Sequence, residues 1–138
     1  MEWSLKKFDE LSTDELYAIL QLRSEVFIVE QNCVYLDPDG KDQEAWHLIG
    51  TEDGKPIAYT RILAPGVAYP DPAIGRVVTS TLKRGSGLGR ELMERSIEHC
   101  EKLFGKKSIT LSAQVYLKKF YESLGFTGIG DEYLDDGI

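Results

Sequence analysis

Cationic clusters, long apolar runs and metal-binding spacings are all missing from this sequence. Its 138 residues carry 16 lysines and arginines against 23 aspartates and glutamates, a net charge of −7. That balance excludes a phosphate-backbone binder, because counterion release requires clustered cations, so no nucleic-acid partner is expected. No stretch of about 18 apolar residues is present to cross a bilayer. The opening Met1-Glu2-Trp3-Ser4-Leu5-Lys6-Lys7 lacks the apolar core of an export signal, so no membrane partner is expected either. The two cysteines, Cys33 and Cys100, form no CxxC pair, and the two histidines are far apart in the chain, so no metal site can be read. Without an export signal the thiols are expected to be reduced and the chain cytoplasmic. No internal repeat or Gly/Ser linker divides the sequence, and one domain over 1–138 is expected.

What is present reads as a mixed α/β fold. At 42% hydrophobic and 28% charged, the chain has the apolar content of a folded domain. Ser12-Thr13-Asp14-Glu15 is a capping box, and Leu16, Ile19, Leu20 and Phe27 follow at helical spacing with Arg23 on the apolar stripe. Residues 34–44 hold four acids against one lysine around the turn Asp37-Pro38-Asp39-Gly40. Strands are expected at Ala45–Thr51 and Pro56–Leu63, joined through Asp53-Gly54, and again at Ala73–Thr79. A long helix then buries Leu88, Leu92, Met93, Ile97, Cys100, Leu103 and Phe104, and stops at Gly105. Ser108–Ser112 reads as a strand, and Leu117, Phe120, Tyr121 and Leu124 mark a last helix closed by Gly125. Phe126 onward is weakly strand-like, and Asp135-Asp136-Gly137 reads as a turn whose second arm is missing or comes from elsewhere. The order implies antiparallel hairpins near the N-terminus, a central parallel pair, and helices on both faces. An incomplete last strand would expose a sheet edge, across which two copies could form a homodimer.

The most informative stretch joins the third strand to the long helix: Lys83-Arg84-Gly85-Ser86-Gly87-Leu88-Gly89-Arg90. Glycines let backbone N–H groups converge, and a helix N-terminus adds roughly half a positive charge there. The P-loop pattern GxxxxGK[ST] is absent, and GxGxxG fails because Arg90 stands where its last glycine would be. What remains is R-x-x-G-x-G flanked by Lys83 and Arg90, and these three cations favour a di- or polyanionic ligand. The competing reading is a tight strand–helix turn and nothing more.

Taken with its surroundings, this loop resembles that of the GNAT superfamily (Gcn5-related N-acetyltransferases). The resemblance rests on Arg84-Gly85-Ser86-Gly87-Leu88-Gly89 after the apolar triplet Val77-Val78-Thr79, and on Gln114, Phe120-Tyr121 and Gly125-Phe126 downstream. Gln114 stands where the family more often has Asn, and keeps the amide. Leu22-Arg23, the run Val26-Phe27-Ile28-Val29-Glu30-Gln31, the acidic loop, His47, Arg61-Ile62-Leu63 and Ile74-Gly75-Arg76-Val77 extend the resemblance to the ElaA-type branch. It implies the acyl-CoA N-acyltransferase fold, acetyl-CoA as co-substrate, and direct transfer to a small-molecule or peptide amine in a ternary complex. It also implies that Arg84–Arg90 wraps the pyrophosphate, that the pantetheine arm pairs with Val77, Val78 and Thr79, and that Tyr121 protonates the departing thiolate. A non-catalytic CoA-binding module on the same fold is the alternative. Read from its helix alone, Tyr121 is equally a core residue.

Other roles follow from residue chemistry. A primary amine is neutral in only about one molecule in two or three thousand at pH 7, so its proton needs an acceptor. Glu30, among apolar residues, and His47, in mid-strand, are the candidate bases, each against a purely structural hydrogen bond. Arg61 and Arg76 sit in otherwise apolar strands, where charge is costly unless paired. They bind a substrate carboxylate or pair with Glu30 or nearby aspartates. The acidic loop attracts a cationic acceptor or is simply a solvated face.

Overall fold

Ser12 opens the first helix as its sequence implies: Ser12 Oγ accepts from the Glu15 N–H at 3.0 Å and Glu15 Oε1 accepts from the Ser12 N–H at 2.9 Å. The computed structural model describes residues 1–30, 36–83, 85–106, 108–112, 126–129 and 132–135. Helix α1 spans Thr13–Arg23 and continues into a wider π-helical segment, Ser24–Glu30. Helix α2 spans Leu88–Phe104. The strands are β1 (Glu2–Lys7), β2 (Trp46–Glu52), β3 (Lys55–Leu63), β4 (Ala73–Thr79), β5 (Ile109–Ser112), β6 (Phe126–Ile129) and β7 (Glu132–Asp135).

They form one sheet in the order β1-β2-β3-β4-β5-β7-β6. Only β4 and β5 run parallel; the other neighbours are antiparallel. Asp53 and Gly54 both take positive φ, which is what a two-residue hairpin between β2 and β3 requires.

The period-2 pattern of the strands splits the core between the two sheet faces. On one face, Leu48, Ala58, Ile62 and Ile74 meet Leu88, Leu92, Met93 and Cys100 of α2. Ser96 is also buried there, with its hydroxyl 2.8 Å from that of Thr60. On the other face, Ile19, Leu22 and Val26 pack with Ile49, Tyr59 and Val78. Helices therefore cover both faces, as expected. No helix among the described residues is long and apolar enough to cross a membrane, and none of their side chains form a metal-binding group.

Two expectations need correction. The N-terminal segment is a strand: Trp3 and Leu5 pack with the α2-side core. Gly50 makes room for Trp3, since a Cβ there would lie 2.8 Å from the indole. At the other end, the segment from Phe126 is a hairpin with both arms in this chain, and β7 lies between β5 and β6. Asp135, expected in a turn, is the last residue of β7.

Candidate active site

Strand β4 is irregular at its middle. Tyr59 pairs with Val78 and Arg61 with Gly75, so two steps along β3 span three along β4. The extra residue makes a bulge opposite Thr60, and Arg76 sits in it with φ +51°. On the other side, the described ladder with β5 ends at Ile74↔Leu111. β5 is described only as far as Ser112, so Gly75 to Thr79 lie beyond the part of the ladder that the described residues cover.

Beyond Thr79 the chain makes a short 3₁₀ turn, Thr81–Lys83, and reaches the glycines. Gly85 and Gly87 both have φ +82°, and a Cβ on either would meet nothing within 4 Å. These glycines are needed for their backbone conformation, and the space above them is open. Gly87 caps α2 without any side-chain hydrogen bond. The first N–H groups of a 17-residue helix are thus presented at an exposed turn, which fits an anionic group. Leu88 is buried under the turn, Gly89 is half-buried, and Ser86 and Arg90 are on the surface. Val78 faces the α1-side core, and Val77 packs with the α2-side core. Arg84, Gln114 and Tyr121 lie outside the described residues, as does Cys33.

The α1 face behind β4 holds a network of six charges. Arg23 donates from Nε to Asp37 Oδ2 at 2.8 Å and from Nη1 to Asp42 Oδ1 at 3.0 Å. Arg61 grips both oxygens of Asp39, at 2.7 and 2.9 Å, and reaches Asp42 Oδ1 at 3.0 Å. Arg76 donates to the Asp37 carbonyl at 2.8 Å and lies 2.9 Å from Asp37 Oδ1. Burial pushes Asp42 and Asp39 up, but hydrogen bonds from Arg23 and Arg61 respectively outweigh it and hold both below the usual carboxylate range. Arg23, Arg61, Asp37 and Asp42 are 1%, 5%, 2% and 7% exposed.

This network revises three expectations. Arg61 and Arg76 are engaged by aspartates of their own chain, so the carboxylate-binding role gives way to the internal pairing that was its alternative. The acidic loop is only in part a solvated face: Asp39 and Glu44 are exposed, whereas Asp37 and Asp42 are buried against guanidinium groups. His47 is 1% exposed with both ring nitrogens committed. Nε2 lies 3.0 Å from the Asp42 carbonyl, which only an N–H can satisfy, so Nδ1 accepts from the Tyr59 hydroxyl at 2.6 Å. Burial lowers its pKa. A ring so placed has no free nitrogen for a substrate amine, and the base role expected of His47 does not fit. Glu30 ends the π-helical segment on the surface, not in the apolar setting expected of it. Tyr59 carried no obvious signal. The pairing of Arg23 could have been inferred, since one cation on an apolar stripe calls for a buried anion. A cavity of about 220 Å³ opens beside the bulge, lined in part by Asp39, Lys41, Arg61, Tyr69, Gly75 and Arg76.

Comparison with known proteins bears on the family and the fold. Residues 20–138 match the acetyltransferase (GNAT) domain family. The chain is 41% identical over 140 residues to protein ElaA of Escherichia coli K12, covering 100% of this chain and 92% of ElaA. Its fold is similar to a crystal structure of an acyl-CoA N-acyltransferase from Pseudomonas aeruginosa, with TM-score 0.88, 38% identity and 97% of each chain covered. At 14% identity, the fold alone is shared with PaiA N-acetyltransferase from Thermoplasma acidophilum, solved with coenzyme A, with TM-score 0.68 and 97% of each chain covered. A bulged central strand followed by an open glycine turn is thus set in a domain of acyl-transfer type, and the chain belongs to the GNAT acetyltransferase family, on the branch that includes ElaA.

Proposed function

We propose that this protein moves the acetyl group of acetyl-CoA to a primary amine by direct transfer in a ternary complex. The observation that carries this reading is the course of β4 from the bulge at Arg76 to the open glycine turn at the start of α2. The turn binds the pyrophosphate through N–H groups of Gly85–Arg90, with Arg84 and Arg90 adding charge, and the amide of Gln114 also binds the cofactor. The pantetheine arm lies along Thr79, Val78 and Val77 like an added strand. This brings the thioester to the bulge, next to the cavity, and the acceptor amine enters from there. PaiA, of the same fold, is known with coenzyme A bound, which supports the cofactor assignment.

A backbone N–H of the bulge donates to the thioester oxygen, and this bond strengthens as negative charge develops. The amine nitrogen attacks the carbonyl carbon, the C–N bond forms, and the C–S bond breaks. Tyr121 gives its proton to the departing thiolate. The ammonium proton leaves through Glu30, which lies four residues past Val26, the residue packed against Val78.

The test is thiol release from acetyl-CoA against a panel of amines. Release is expected only in the presence of an accepted amine. Tyr121→Phe should keep acetyl-CoA affinity and lower kcat at least tenfold, within the range a positioned acid supplies. Binding of acetyl-CoA without release across the panel would make the protein a CoA-binding module. Equal stabilisation by ATP would make it a nucleotide-phosphate binder.

A further inference from the structure

Arg76 occupies a backbone position that normally falls to glycine. Its φ of +51° lies in the left-handed region, where a Cβ crowds the following carbonyl. Bulges whose first residue adopts this conformation usually place glycine there. The sequence does supply a glycine, Gly75, but one position too early. Strain of this kind persists only where the surroundings over-determine it. Here the arginine's own side chain supplies the constraint. Nη2 donates to the Asp37 carbonyl at 2.8 Å and lies 3.4 Å from Asp39 Oδ2, while Nε is 2.9 Å from Asp37 Oδ1. Asp37 and Asp39 are in turn fixed by Arg23 and Arg61. The far end of the clamp is therefore rigid.

We infer that Arg76 is a positioning residue, whose guanidinium, clamped to the Asp37–Asp39 loop, holds the β4 bulge left-handed and so fixes the direction of its peptide N–H groups. The inference rests on the acetyl transfer proposed above, in which one of those groups polarises the thioester. Most of the cofactor's grip lies further along the chain, at the glycine turn. Releasing the clamp therefore leaves acetyl-CoA bound but misaims the donor at its carbonyl, and a small misplacement of a catalytic group is enough to slow the chemical step.

Three substitutions separate this from a general structural role. Arg76→Ala keeps the strained Cβ and loses the clamp, so the bulge relaxes. Kcat should fall ten- to a hundredfold, with acetyl-CoA Kd within about twofold of the parent. Arg76→Gly loses the clamp but also the strain, and should recover several-fold in kcat over Arg76→Ala. Arg76→Lys keeps the charge without the planar fork, and should rank below Arg76→Gly. The Val77 amide resonance should move most in Arg76→Ala and least in Arg76→Gly. Equal kcat in all variants, a Lys-above-Gly order, or a kcat loss matched by lost acetyl-CoA binding would each overturn the inference. Should Arg76→Ala not fold, the Gly-against-Lys order decides alone. If the parent protein neither binds acetyl-CoA nor releases thiol, the proposed function fails, and the Val77 resonance still tells whether Arg76 sets the bulge.

Discussion

Two loops flank the middle of the sheet and are built on opposite plans. The loop from Asp37 to Asp42 is rich in charge, yet Asp37 and Asp42 are buried and each of its carboxylates is tied to an arginine from α1, β3 or β4. The turn from Gly85 to Gly87 carries almost no side chain, lies exposed, and owes its shape to two left-handed backbones. The first loop is held by what it contains, whereas the second is useful for what it leaves open. A charged run can therefore belong to the interior, and a bare turn can be the part that meets a ligand.

Breaking the first loop should cost folding and spare the cofactor. Asp42→Ala takes one of two aspartate partners from each of Arg23 and Arg61 and leaves the buried network one anion short, and loss of one partner of a buried pair typically destabilises by about 3–5 kcal/mol. Urea unfolding should show a loss of that size, while the rise in melting temperature on adding acetyl-CoA persists. A loss below about 1 kcal/mol would mean the network is better solvated than its burial implies.

Breaking the second loop should do the reverse. Gly87→Val places a β-branched residue at φ +82°, costing roughly 1–2 kcal/mol of stability, and its side chain occupies the space the phosphates need. The stabilisation by acetyl-CoA, about 2.7 kcal/mol at a hundredfold excess over Kd, should vanish. Retention of the full thermal shift would place the pyrophosphate somewhere other than this turn.

A finer contrast lies in pH. Burial holds His47 below its usual pKa in the folded chain, so below about pH 6.5 the unfolded chain takes up a proton that the folded one does not. Stability should therefore fall as pH drops from 7 toward 5, by at most about 1.4 kcal/mol per pH unit from this group. His47→Gln should flatten that slope. A smaller residue remains from His99, whose pKa burial and Lys102 also lower. Chemical denaturation at several pH values measures both, and an unchanged slope in His47→Gln would show that His47 titrates normally.

Much of the fold is legible in the chain because its signals are local. The Ser12–Glu15 box, the Asp53-Gly54 turn and the apolar stripe of α2 each specify their own geometry within a few residues. The left-handed glycines at 85 and 87 belong to the same class. What escaped such reading depends on long-range partners. Trp3 and Leu5 alternate as a strand should, yet their segment becomes one only by pairing with β2. Arg61 and Arg76 could be read as ligands for an outside carboxylate, since nothing local tells an internal anion from an external one. His47 looked reactive because its two partners, a carbonyl five residues away and a hydroxyl on the next strand, leave no mark in a linear pattern.

The insertion of β7 between β5 and β6 bears on how a nascent chain matures. Strands β1 to β5 lie side by side in the order in which they occur in the chain. β6 then has no seat of its own, because its neighbour in the sheet is made after it. Until β7 emerges, the outer edge of β5 is an unsatisfied template, and unpaired edges are where newly made polypeptides stick to one another. The last described strand to be made is therefore the one that covers β5 and seats β6, so the sheet is completed from its interior and not from its edge.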